Sequence, residues 1–170
     1  MKKLCCTAAA LLLLLLAACG TPEKPTQAEK PVQAGRSDMW RVELLEAKLA
    51  DSLTAVLSAV QYVGGVLTTE NEINPGEGNT FLLMQMAVEK IGTGKAAFSW
   101  ADAHIVDGGG NAYPRHPNDT FLANLGVPRL KSADIVLGKE SGWVCFEIPK
   151  EAQGLRFVAD EGQIILEVNP

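Results

Sequence analysis

Apolar positions alternate with polar ones along several stretches of this chain. In Phe81-Leu82-Leu83-Met84-Gln85-Met86-Ala87-Val88-Glu89, positions 82, 84, 86 and 88 are all apolar, and the opposite face turns polar towards its end. That period of two predicts a half-buried strand, opened by the turn-forming cluster 75–79 and closed by Gly92-Thr93-Gly94. Gly142 to Pro149 alternates again, which aims Val144, Phe146 and Ile148 at a core, with Pro149 ending the ladder. Leu155–Val158 and Ile164–Val168 follow around a tight turn at Asp160-Glu161-Gly162, and a further strand is expected from Ser99 to Val106. The glycine run 108–110 after it offers the positive-φ positions a hairpin needs. Short strands at such spacing predict an all-β antiparallel sandwich.

One region fits two periods. Val42, Leu45, Leu49, Leu53, Val56 and Val60 are spaced like one face of an amphipathic helix. Trp40, Val42 and Leu44 also alternate as in a strand, and Tyr62 to Thr69 is strand-like. Periodicity alone favours a helix over 42–60.

The N-terminus has a different pattern. Lys2 and Lys3 precede an apolar run, Leu11 to Leu16, which ends in the small residues Ala17-Ala18. This is the layout of a secretory signal, and the run from Ala8 to Ala18 is shorter than the roughly 20 residues a membrane-spanning helix takes. Leu16-Ala17-Ala18-Cys19 resembles the lipobox of bacterial lipoproteins. The resemblance implies that residues 1–18 are removed and that Cys19 becomes a lipidated N-terminus, anchoring the protein to a membrane and facing outside the cytoplasm. Several acyl chains would make that attachment lasting. Residues 19–38, with prolines at 22, 25 and 31 and mixed charge, are expected to be a disordered Pro-rich tether. The folded domain is then expected over 39–170.

The order of the remaining segments carries a second resemblance. Pro75 to Phe81 enters a long apolar strand, and Ile105 to Tyr113, Ser141 to Pro149 and Gly154 to Val158 follow. This order resembles a large uncharacterised family of immunoglobulin-like domains on bacterial surface lipoproteins, similar in fold to secreted immunoprotective antigens. Gly142-x-x-x-Phe146-Glu147-x-Pro149 is its most specific piece. The resemblance implies an immunoglobulin-like β-sandwich over about residues 40–169 and a strand over Trp40–Leu49. Residues 50–66 are richer in Ala and Leu than the family pattern, so a short helix or insertion stays open there. The family brings no established reaction or ligand.

Charge narrows the partners. Loss of Lys2 and Lys3 takes the net charge from −5 to −7, which argues against nucleic acid, whose phosphates call for a basic surface. Of the four cysteines, Cys5 and Cys6 would leave with the signal and Cys19 would carry lipid. Cys145 then has no disulfide partner and is expected to be a small buried core residue.

No nucleophile elbow, His-Glu-x-x-His, phosphate loop or Cys-x-x-Cys occurs. Asp102, His104, Asp107, His116 and Asp119 form the best polar group. On a strand, Asp102 and His104 share a face, and the loop after Tyr113 could bring His116 and Asp119 to them as a zinc or copper site. Turn-forming, solvated residues explain the same pattern. Trp100 and Trp143 would mark a binding patch if exposed side by side. The reading is a non-enzymatic, cofactor-free binding module with a protein or cell-envelope partner. Its recognition loops are expected at Asn111–Val127 and Thr69–Asn79. A metal-binding module and a structural accessory of an envelope complex are the alternatives.

Overall fold

The computed structural model describes residues 32–61, 65–117, 119, 121–124, 128–130 and 138–170. The signal segment, Cys19 and the Pro-rich stretch up to Pro31 lie outside them. Ten strands and one helical turn are described: β1 Gln33–Arg36, β2 Trp40–Ala50, β3 Leu53–Gln61, β4 Gly65–Ile73, β5 Asn79–Lys90, β6 His104–Val106, β7 Ala112–Pro114, α1 Phe121–Asn124, β8 Lys139–Pro149, β9 Arg156–Ala159 and β10 Ile164–Glu167. They form an antiparallel sheet in the order β1-β2-β5-β8, a second in the order β10-β9-β6-β7, and a β3–β4 ribbon. The fold is therefore nearly all-β, a sandwich of two four-stranded sheets.

The core lies between those sheets, where period two aimed it. Leu82, Met84, Met86 and Val88 from β5 meet Val144, Phe146 and Ile148 from β8, with Ile105, Phe157 and Ile164 from the facing sheet. Burying each such side chain contributes about 1.5–3 kcal/mol. At one margin β1 lies against β10, so closely that a Cβ on Gly35 would stand 2.8 Å from a methyl of Ile164. At the other, the chain beyond β7 continues along β8 through an Arg115–Phe146 bridge and a hydrogen bond from His116 N–H to the Cys145 carbonyl, 2.8 Å.

Several expectations are corrected. The folded domain begins before residue 39, because Gln33–Arg36 pairs with Arg41–Leu44. No apolar pattern signals that strand, and its backbone ladder and the fit of Gly35 hold it. The described residues of 50–66 are not helical, since Leu53–Gln61 and Gly65–Ile73 pair as antiparallel strands. The helix-like spacing upstream does not mark a buried face: Leu45, on which it depends, is the unpaired residue of a bulge in β2 between Leu44 and Glu46 and is exposed. Inward positions run 40, 42, 44, then 47 and 49, opposite Met84 and Leu82, so one extra residue turns a period of two into a step of three.

The strand expected from Ser99 shortens to His104–Val106. The half-buried strand at 81–89 is buried on both faces for most of its length. Its outer side, with Trp143 and Cys145 from β8, is covered by Leu53 of the ribbon and Phe121 and Leu122 of α1.

Candidate functional site

Five chain segments meet at one end of the sandwich: the exit of β2 at Ala50-Asp51, the 74–78 turn, the 107–111 turn, the 150–155 connection and the C-terminal residues 168–170. Main-chain hydrogen bonds stitch them together, from Gly108 N–H to the Gln153 carbonyl (2.7 Å), Lys150 N–H to Gly78 (3.0 Å) and Val168 N–H to Leu155 (2.8 Å). Thr80 adds a hydroxyl bond to the Ala50 carbonyl at 3.1 Å. The end is preorganised.

Asp107 is the anchor of the 107–111 turn. Its buried carboxylate accepts from Asn111 N–H (2.8 Å), Asn111 Nδ2 (2.9 Å) and the Tyr113 hydroxyl (2.8 Å). The Asn111 side chain, then Tyr113 and the backbone amides of Asn111 and Gly109, hold its pKa down at about 2 against the opposing effect of burial. The same carboxylate pushes the Tyr113 hydroxyl up. Gly110 takes the positive φ the turn needs. The neighbouring 74–78 turn is held by Glu147, whose Oε1 accepts from Gly76 N–H (2.9 Å) and Asn79 Nδ2 (2.7 Å). Asn79 first, then Gly76, lower the pKa of that carboxyl.

Two cavities flank the 150–155 connection. One, of about 400 Å³, lies between it and the 107–111 turn. The other, about 210 Å³, is the open mouth of the core, with Leu49, Ile148, Leu155 and Val168 on its wall. Leu49 points inward by register yet is 49% exposed, because the facing sheet stops short of it.

Asp119, His116 and His104 have partners of their own, while Asp102 is exposed. Asp119, 5% exposed, receives Arg115 Nε at 2.7 Å and a terminal Arg115 nitrogen at 2.6 Å, with Arg129 at 3.8 Å. His116 stacks edge-on against Phe81 and Phe121, with Nε2 3.9 Å from Glu147. His104 Nδ1 lies 2.9 Å from the main-chain oxygen of exposed Asp102. Among the described residues, no three His, Cys, Asp or Glu side chains gather as a metal site would require.

Trp100 and Trp143 do not form a patch. Each is 7% exposed, and they belong to different core clusters. Cys145 is buried, and burial pushes its thiol up to about 12, which leaves it without thiolate character at neutral pH. Thr69–Ile73 belongs to strand β4, so the loop expected there shrinks to 74–78. Part of Asn111–Val127 lies outside the described residues. Its described parts include the β7 edge and α1, which packs on the outer face of the first sheet.

The Gly-x-x-x-Phe-Glu-x-Pro piece is explained by contacts. A Cβ on Gly142 would collide with the main chain of Pro128–Leu130, which runs beside it through bonds between Trp143 and both Pro128 (2.8 Å) and Leu130 (3.0 Å). Phe146 fills the core, Glu147 holds the 74–78 turn, and Pro149 closes the ladder at the loop end. Two features escaped sequence reasoning. The Arg115–Asp119 pair has helical i,i+4 spacing but sits outside any helix. Asp107–Asn111 reads as a turn, and the only hint of its network is the carboxylate–amide pair closing a glycine run with Tyr113 two residues on.

A family model described as "Domain of unknown function (DUF4352)" matches residues 52–165. No curated protein of known function matches. Among solved structures, a conserved hypothetical protein from Bacillus anthracis is similar at 12% identity and a TM-score of 0.52, over 81% of this chain and 92% of that one. A Bacillus subtilis protein provisionally described as a lipoprotein is similar at 11% identity and a TM-score of 0.48, over 81% of this chain and 38% of that one. An uncharacterised β-sandwich protein from Clostridium difficile is similar at 9% identity and a TM-score of 0.43, over 86% and 100%. At these identities the first likeness speaks for the fold alone.

Proposed function

We propose, for a chain that belongs to the family of domains of unknown function DUF4352, that it is a lipid-anchored, non-enzymatic binding module of the bacterial cell envelope. Its recognition surface is the loop end of the sandwich. The observation that carries this reading is the pair of cavities on either side of the 150–155 connection. Loops held by a rigid scaffold are the usual place for recognition, and here main-chain bonds and the Asp107 network hold them. The tether supports the reading from the other side: Cys19 at the start of a Pro-rich stretch suits a domain held out from a membrane.

A photo-crosslinking amino acid placed at exposed Gln153 tests this in intact cells, with exposed Gln163 at the opposite end as control. The module should give a discrete adduct from position 153 and none from 163. Adducts from 163 alone, or from neither position, would remove the loop end as the recognition surface.

A further inference from the structure

The cavity between the 107–111 turn and the 150–155 connection has a chemical bias its neighbour lacks. Its wall carries two carboxylates, Asp107 and Glu151, the Tyr113 hydroxyl and the Asn111 side chain, with Pro149 and Ala152 as apolar floor, and no Lys, Arg or His among the described residues lines it. The Glu151 side chain is exposed and has no hydrogen-bond or ion-pair partner among the described residues, and it lies near enough to Tyr113 to act on that phenol electrostatically. Tyr113 spends its proton on Asp107 at 2.8 Å, so its lone pairs stay available to a donor. A concave, acceptor-lined site with two carboxylates and, among its described lining residues, no cation favours a positively charged donor.

We propose that this cavity binds an organic ammonium group. The inference rests on the recognition surface proposed above and names the chemistry of its ligand. A bare metal ion fits less well. The Asp107 oxygens already accept three protein donors at 2.8–2.9 Å, which leaves Glu151 as the only carboxylate free to bond directly. Calcium takes six to eight oxygen ligands. An ammonium instead needs a few acceptors and an apolar wall for its carbon stem, which Tyr113, Pro149 and Ala152 supply. A volume of about 400 Å³ lies in the range of small-ligand sites. The ammonium could belong to a free amine or to a lysine side chain of a partner.

The test is an amide-resolved NMR titration of the folded domain with 1,5-diaminopentane, with the tripeptide Gly-Lys-Gly, and with neutral 1,5-pentanediol. Saturable shifts are expected at Gly108, Gly109, Asn111 and Gln153 with the amines and not with the diol. Stronger binding of the diamine would indicate a free amine, and stronger binding of the peptide a lysine side chain. Glu151→Gln, at an exposed position without a partner, should keep the fold and weaken amine binding about fivefold. Equal shifts with the diol, no shifts at these amides, or unchanged affinity in Glu151→Gln would overturn the proposal. A crosslink from position 153 together with a failed titration would leave the recognition surface standing and refute only the ammonium chemistry. Failure of both would remove the surface itself.

Discussion

Replacing Asp119 by Ala should be among the most damaging single changes in this domain. Arg115 and Asp119 have side chains 8% and 5% exposed. Both the Nε and a terminal nitrogen of Arg115 reach the same carboxylate oxygen, at 2.7 and 2.6 Å. The guanidinium also bonds the Leu130 carbonyl at 2.7 Å and lies 4.6 Å from the centre of the Trp100 ring. Burial lowers the Arg115 pKa and the carboxylate acts against it, so Asp119 offsets the desolvation of a guanidinium that stays charged. Without the carboxylate a buried cation loses its counter-ion, a cost of about 3–5 kcal/mol. In a domain of this size that is a fall in melting temperature of about 10–15 °C. The loss should be insensitive to salt, because a buried pair is screened little. It should also be the same with and without a chelator, because the Asp119 carboxylate is held by Arg115. Urea denaturation followed by tryptophan fluorescence reads the effect beside Trp100. The double variant Arg115→Met with Asp119→Leu should recover most of the loss, since apolar replacement of a buried pair is often close to neutral. A loss below about 1 kcal/mol in Asp119→Ala, or a double variant no better than the single, would refute this account.

Further outcomes follow from the other contacts. Cys145 should stay unmodified by a thiol reagent in the native protein and react fully after denaturation; rapid labelling of the folded domain would contradict its burial. Gly142→Ala should destabilise by about 1–3 kcal/mol in a urea melt, because the new Cβ meets main chain rather than a yielding side chain. Asp107 has a folded pKa of about 2, below the ordinary 3.8, so its contribution to stability is complete above about pH 4 and is lost as pH falls towards 2. Asp107→Asn should therefore flatten the acid limb of the stability curve in that window, and an unchanged limb would count against the network. Metabolic labelling with an alkyne fatty acid should mark the wild-type protein and not Cys19→Ala; equal labelling of both would remove the anchor from the proposal.

The core strands were legible because their periodicity is purely local. Val144, Phe146 and Ile148 alternate without a break, and Asp160-Glu161-Gly162 carries its turn in its own residues, all three at positive φ. What escaped depends on partners distant in sequence. Gln33-Ala34-Gly35-Arg36 has no apolar signature, and its strand exists because β2 offers an edge and Ile164 leaves room for a glycine. Phe81 and Leu83 did show an apolar outer face, but nothing local reveals that α1 and the β3–β4 ribbon cover it. The helix-like spacing through Leu45 misled because Leu45 is the exposed, unpaired residue of the bulge between Leu44 and Glu46. At the site, Asp107 was visible as a turn residue and a member of the polar group but not as the anchor of a hydrogen-bond network, and Glu151 was not visible at all. A cavity forms where two connections meet, and only the register of β8 on β5 and of β9 on β6 brings them together.

The claim that recognition occurs at the loop end is tested most directly by hydrogen–deuterium exchange of the protein in its own membranes, compared with the isolated soluble domain. The account predicts slower exchange in the membranes at Gly108–Asn111 and Glu151–Gly154, with Asp160–Gln163 at the far end unchanged. Protection confined to the far end, or none at either, would contradict it.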